Sequence, residues 1–163
     1  MNQDYSKIAG VIFWPLKKHC DDRGWLIELW RTDNVLEQDL PEMTYISMTL
    51  PGVVRGPHEH QDQSDLFCFI GPGDFELHLW TKPSLWTKPY EEIWQVGESN
   101  PMAVLVPPGV VHAYKNVSVY PGYVTNSPNR LYGGPDHRYP VDEIRHESGT
   151  TYKMTTRENE KVV

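Results

Sequence analysis

The stretch "GPHEHQDQSDLFCFIG", residues 56–71, places two histidines and an acid within eight positions: His58, His60 and Asp65. Side chains alternate faces along an extended strand, so His58 and His60 point one way and Glu59 the other. Asp65 begins the next apolar run and shares a face with Phe67 and Phe69. A third imidazole, His112, comes from a distant segment, "VLVPPGVVHAYKN" (104–116), after a Pro-Pro-Gly turn. Three imidazoles and one carboxylate drawn from separate strands are a suitable ligand set for Fe, Mn, Ni or Zn. An imidazole titrating near neutrality can equally serve as a general base. The two uses compete at His58, because a metal-bound nitrogen cannot also accept a proton. A third reading is a polar barrel interior without metal.

Such residues converge only if rigid strands carry them. Short apolar or alternating runs occur at "GVIFW" (10–14), "WLIELW" (25–30), "TYISMTL" (44–50), "LFCFI" (66–70), "FELHLW" (75–80), "AVLVP" (103–107) and "YVTN" (123–126). Turn residues separate them. Only "NVLEQDL" (34–40) has the makings of a helical turn or two, and fourteen prolines and twelve glycines interrupt the rest. The pattern predicts an all-β fold, an antiparallel sandwich or barrel. "LWTKP" occurs twice in "LWTKPSLWTKPY" (79–90), and its prolines exclude a central strand. That segment reads as an exposed loop whose tryptophans cover the barrel mouth or a partner.

A length of 163 residues suggests one domain, residues 1–150, followed by a polar tail, 151–163, that is partly disordered. The net charge of −7 argues against a nucleic-acid partner, since no basic stripe exists to replace phosphate counterions. A few arginines in a cleft can still hold an anionic small molecule. Cys20 and Cys68 form no pair motif, which fits a reducing compartment. The N-terminal residues contain no long apolar run, so neither a leader nor a membrane span is expected, and a cytoplasmic location follows.

The spacing resembles the cupin motifs. The first of these runs Gly, five residues, His-x-His, three or four residues, Glu, six residues, Gly. Here Gly52, His58-Glu59-His60, Asp65 and Gly71 follow it, with Asp in place of Glu. The second motif, Pro-x-Gly, two residues, His, three residues, Asn, is matched by Pro107, Gly109, His112 and Asn116. The resemblance implies a cupin fold, a double-stranded β-helix or jelly-roll barrel.

Three further stretches are similar to the dTDP-4-dehydrorhamnose 3,5-epimerase family of cupins: "DDRGWLIELWR" (21–31), "GVVRGPHEHQDQSDLFCFIGPGDFELHLW" (52–80) and "VPPGVVHAYKNVS" (106–118). That resemblance implies epimerisation of a dTDP-4-keto-6-deoxy sugar, or a related nucleotide keto sugar, at carbon 3, carbon 5 or both. It implies a homodimer, no required cofactor, and a place in a dTDP-rhamnose-like or polysaccharide biosynthetic pathway. Arg23 and Arg55 would hold the diphosphate, Glu28 would face the base or sugar, and His58 would be the general base. His112, Asn126 and Arg130 are further substrate-binding candidates, and Asn129 and Tyr132 would line the mouth with them.

The departures are specific. The family places an enolate-stabilising lysine where Asp65 stands. Its general-acid tyrosine falls near Val124 or Thr125, leaving Tyr132 as the catalytic candidate with Tyr123 nearby. Its histidine-orienting aspartate has no counterpart after Glu147. A divalent metal held by His58, His60, Asp65 and His112 would make these losses coherent. Tyr45, Tyr114, Tyr132 or Glu59 would then be the base. Asp142 to Glu147 read as interface or loop salt bridging. The rivals are a metal-dependent cupin enzyme, dioxygenase or sugar isomerase, and a non-catalytic sugar-binding cupin.

Overall fold

The computed structural model describes residues 4–155. Residues 156–163 of the expected tail lie outside the described residues. In chain order the strands are β1 (Asp4–Tyr5), β2 (Ile12–Pro15), β3 (Lys18–Asp21), β4 (Gly24–Ile27), β5 (Tyr45–Thr49), β6 (Val54–Glu59) and β7 (Asp65–Phe69). They continue as β8 (Asp74–Trp80), β9 (Glu91–Gly97), β10 (Met102–Val106), β11 (Val111–Asn116), β12 (Gly122–Asn126) and β13 (Ile144–Arg145). Two antiparallel sheets face each other, ordered β1-β2-β10-β7-β12-β5 and β13-β6-β11-β8-β9, and β3 and β4 form a separate hairpin. This is the all-β cupin jelly roll that the motifs imply. The expected helical turn is a short 3-10 turn at Glu37–Asp39.

The patterning explains the layers. β7 and β10 are buried at every position, because both faces of the six-stranded sheet are covered there. Phe67, Phe69, Val104 and Val106 face inward and meet Phe75, Leu77 and Leu79 of the opposite sheet. Leu66, Cys68, Ala103 and Leu105 face outward beneath Trp14, Val35 and the partly buried Leu29 and Trp30. The run "WLIELW" therefore splits: strand pairing ends at Ile27, and its last apolar residues cap the outer face.

Two expectations need correction. The duplicated "LWTKP" units have different fates: Trp80 is buried at the end of β8, while Trp86 is 92% exposed on the following loop. Neither covers the barrel mouth. The tail does not begin at residue 151 in a structural sense. Tyr152 is buried against Trp80, Val111 and Ala113, and the Thr155 hydroxyl donates to Glu91 Oε2 at 2.8 Å.

One local irregularity positions the site. β6 and β11 pair with His58 opposite His112, and the register slips between His112 and Tyr114. Gly56 sits there at φ +91°, and a Cβ on it would lie 2.6 Å from the His112 carbonyl oxygen. Only glycine permits that close approach.

Candidate active site between the two sheets

A cavity of about 630 Å³ opens between the sheets. One wall is Arg55 and His58 from β6, His60 just past its end, and Tyr114 from β11. The facing wall is Tyr45 and Ser47 from β5 with Phe67 from β7. Alternation along β6 sends His58 and His60 inward, and Glu59 outward to Lys82 Nζ (2.7 Å) and His146 Nε2 (3.1 Å). At the floor, ligand atoms of His58, His60, Asp65 and His112 all lie within 4.8 Å of one another. The His58 and His112 ring centroids are 4.4 Å apart.

The hydrogen bonds around these rings assign their lone pairs. His112 Nδ1 donates to the Val110 carbonyl at 3.1 Å, and His60 Nδ1 meets the Asp142 carbonyl. Both rings therefore turn Nε2 toward Asp65 Oδ2, at 3.3 Å for His112 and 3.0 Å for His60. Neither His112 Nε2 nor Asp65 Oδ2 completes a hydrogen bond, although both are buried. The Gln63 amide reaches His60 Nε2 at 3.3 Å and Asp65 Oδ1 at 2.9 Å, but His112 Nε2 and Asp65 Oδ2 still face each other without a proton donor and repel unless positive charge lies between them. A divalent cation satisfies that demand, and a carbonyl-anchored Nδ1–H is the usual support of a ligating histidine. Among the described residues, no hydrogen-bond partner holds either ring nitrogen of His58.

The electrostatics follow this geometry. Burial, then repulsion from His112 and His60, pushes the His58 imidazole down to about 2, so it is neutral at physiological pH. Burial also opposes charge on His60, but Asp65 more than offsets it and raises that ring. Burial alone would lift Asp65, yet His112 and His60 hold it well below the usual carboxylate range. Across the cavity, burial raises the Tyr45 phenol to about 12, opposed by the Asn126 amide. Asn126 Nδ2 donates to both Tyr45 Oη and Asp65 Oδ1, each at 2.9 Å. With its oxygen accepting from Asn126, the Tyr45 hydroxyl keeps its own proton free to donate.

The fold has solved counterparts. The RmlC epimerase of Legionella pneumophila, determined with dTDP-4-keto-L-rhamnose, superposes with a TM-score of 0.67 over 88% of this chain and 76% of that one, at 19% identity. Sequence relatives are nearer. The spore coat polysaccharide biosynthesis protein SpsL of Bacillus subtilis is 38% identical over 109 residues, 66% of this chain and 71% of the relative. The probable low-salt glycan biosynthesis epimerase Agl13 of Haloferax volcanii is 31% identical over 132 residues, 78% of this chain and 84% of the relative. The chain belongs to the dTDP-4-dehydrorhamnose 3,5-epimerase-like family of cupins. It is a divergent member, and no protein-family model matches it. Among the described residues, no helix is long and apolar enough to cross a membrane.

Within this family frame, the expected site residues divide. His58, His60, Asp65 and His112 come together, and Arg55 and Tyr132 line the same cavity. Arg55 donates to Thr49 Oγ1 (3.0 Å) and the Met48 carbonyl (2.8 Å). Arg23 does not reach the cavity: it stands on the β3–β4 turn, its side chain 91% exposed and paired with Asp21. Glu28 lines a different cavity of about 240 Å³ on the outer face of the six-stranded sheet, beside Trp14 and Trp30. Asn126 is buried behind Tyr45, where it orients other groups. Arg130 leans on the Asp62 carbonyl (3.1 Å) and lines a neighbouring depression. Asn129 bridges Ser64 N and the Gln38 carbonyl at 2.8 Å each. Val124 is core, and Tyr123, partly exposed, does not line the cavity.

The segment read as interface or loop salt bridging does form ion pairs, Arg145 with Glu143 (2.8 Å) and His146 with Glu59 (3.1 Å), and it is also part of the wall. Val141, Glu143, Arg145 and Glu147 all line the cavity. The signal available in the sequence was their spacing, every second residue in "VDEIRHE".

Proposed function

We infer that the protein epimerises a nucleotide-linked 4-keto-6-deoxy sugar, or a related nucleotide keto sugar, at carbon 3, carbon 5 or both. The observation that carries the reading is the placement of His58 and Tyr45 on facing sheets across one cavity. Inversion needs a proton removed from one side of a carbon and returned to the other. Only a proton beside a carbonyl is acidic enough for an imidazole to remove, hence the keto sugar.

His58 takes the proton on its unengaged ring nitrogen, and the C–H electron pair moves onto the ketone oxygen as an enolate. Tyr45 returns a proton to the carbon from the opposite sheet, with Asn126 holding its hydroxyl oxygen. Solvent then restores the proton to Tyr45 and removes the one on His58. Tyr132 is 56% exposed and Tyr45 46%, so exposure does not separate them; among the described residues the Tyr45 hydroxyl is held by Asn126 and that of Tyr132 has no such hydrogen bond. The enolate needs preorganised stabilisation. His60, Asp65 and His112 would hold a divalent cation, and that cation would supply Lewis-acid polarisation of the ketone oxygen. With the cation on those three residues, His58 would stay outside the ligand set and keep its nitrogen for the base role. Arg55 at the rim suits the diphosphate.

A homodimer belongs to this reading. It is supported by β5, an edge strand presenting exposed Ile46 and Met48, and by exposed Trp25 and Leu26 on the hairpin that carries Arg23. Docking a second copy is the remaining route for Arg23 to approach a nucleotide.

The test is deuterium uptake from D₂O into dTDP-4-keto-6-deoxyglucose, followed by mass spectrometry and NMR. Incorporation at carbon 3 or 5, lost in His58→Ala, is the expected result. No uptake by wild-type protein would overturn the reading. Metal analysis of protein purified without a nickel column should find about one divalent ion per chain. Oxygen consumption in place of exchange would identify a metal-dependent oxygenase.

A further inference from the structure

The wall segment 141–147 has two faces with different work. Two of its even positions, Asp142 and His146, are anchors. The Asp142 carboxylate accepts the backbone N–H groups of Gln61 (2.8 Å), Asp62 (2.8 Å) and Gln63 (2.9 Å). The His146 backbone N–H donates to the Pro57 carbonyl at 2.8 Å, its ring meets Glu59, and Tyr152 packs on that ring at 4.8 Å. Between the anchors, β13 pairs with β6 so that Arg145 stands opposite His58. The odd positions, Glu143, Arg145 and Glu147, face the cavity as acceptor, donor and acceptor. Glu143 Oε2 accepts from Arg145 Nε at 2.8 Å, which fixes the guanidinium.

We propose that this strap reads the ring hydroxyls of the sugar through Arg145 and Glu147, and so determines which sugar is accepted. The inference rests on the nucleotide-sugar reading of the cavity. Two carboxylates and one guanidinium give the strap face a charge of −1, which repels a diphosphate. Hydroxyl groups, each both donor and acceptor, suit an alternating carboxylate–guanidinium row. Arg55 lies three residues from His58 along β6, about 10 Å at strand spacing. The diphosphate therefore belongs at the Arg55 end and the sugar ring under the strap. Arg145 and Glu147 are exposed enough that neither holds the fold together.

Calorimetric titration of dTDP, dTDP-glucose and its 2-deoxy and 3-deoxy analogues into wild type, Arg145→Gln and Glu147→Gln tests this without requiring turnover. Wild type should bind dTDP-glucose better than dTDP and better than at least one deoxy analogue. Each variant should lose about 10- to 100-fold in affinity for dTDP-glucose, as for a hydrogen bond to a charged group. Affinity for dTDP and for the discriminated analogue should be unchanged. Equal losses for all four ligands would make the strap merely structural, and no loss for any would leave it without a role; either overturns the proposal. So would a wild type that binds dTDP-glucose no better than dTDP. Deuterium uptake assayed in parallel judges the epimerase reading separately, because the binding comparison holds whether or not exchange occurs.

Discussion

His78 and His112 sit on neighbouring strands of one sheet, both essentially without solvent exposure, yet they do opposite things. His78 points out of the sandwich with Trp80, Val111 and Ala113, under a cover that includes Tyr152. Its Nδ1 meets Glu91 Oε1 at 2.7 Å, and its ring stacks on Trp80 at 5.6 Å. His112 points in, next to the cavity floor, and its Nε2 faces a carboxylate without completing a hydrogen bond. Burial alone does not make a histidine functional. Each ring has its Nδ1 engaged and its Nε2 without a hydrogen bond; what separates the two is where that Nε2 points, toward Glu76 Oε2 at 3.7 Å in His78 and toward a cluster of Asp65 and two further imidazoles beside a cavity in His112.

The sharpest way to break this contrast is to remove one ring from each side. His58→Ala should lower deuterium uptake by about 10²- to 10⁴-fold, the usual worth of a general base, with the melting temperature little changed. Tyr45→Phe should cut inversion by about 10²-fold. It should spare proton exchange on the His58 side, so deuterium appears in unepimerised substrate; equal loss of both would exclude Tyr45 as the acid. His78→Ala should leave exchange per folded molecule intact but cost about 2–4 kcal/mol in urea denaturation, from a lost buried hydrogen bond and the space left behind. Asp142→Asn should have the smallest effect. A neutral amide still accepts hydrogen bonds, so stability should fall by about 1 kcal/mol, read most directly as faster amide exchange at Gln61, Asp62 and Gln63.

The inward histidines were legible because three levels agree: strand alternation puts His58 and His60 on one face, the Pro-Pro-Gly turn marks the start of β11, and the motif spacing links them. β8 and β10 were legible from their apolar runs. β9 was not, because "EEIWQVG" follows the proline-rich loop and carries acids at its start. The ion pairs of the strap were legible, but its place on the cavity wall was not, for a different reason. Residues 141–147 have no local preference for their course; pairing with β6 and the three N–H groups that hold Asp142 impose it. Arg23 looked like Arg55 in sequence, each an arginine next to a glycine, but one stands on a hairpin turn and the other on a cavity wall. Tyr45 had no family position to mark it. The role proposed for it draws on strand pairing, which puts it directly opposite Asn126.

The missing Cβ of Gly56 has a consequence for how this site can change over time. Any larger residue would wedge β6 away from the His112 carbonyl and so spread the two imidazoles that the strands bring face to face. Residues around the rim can therefore drift and redirect the chemistry toward new sugars, while the spacing of the floor stays locked by a position that admits one amino acid.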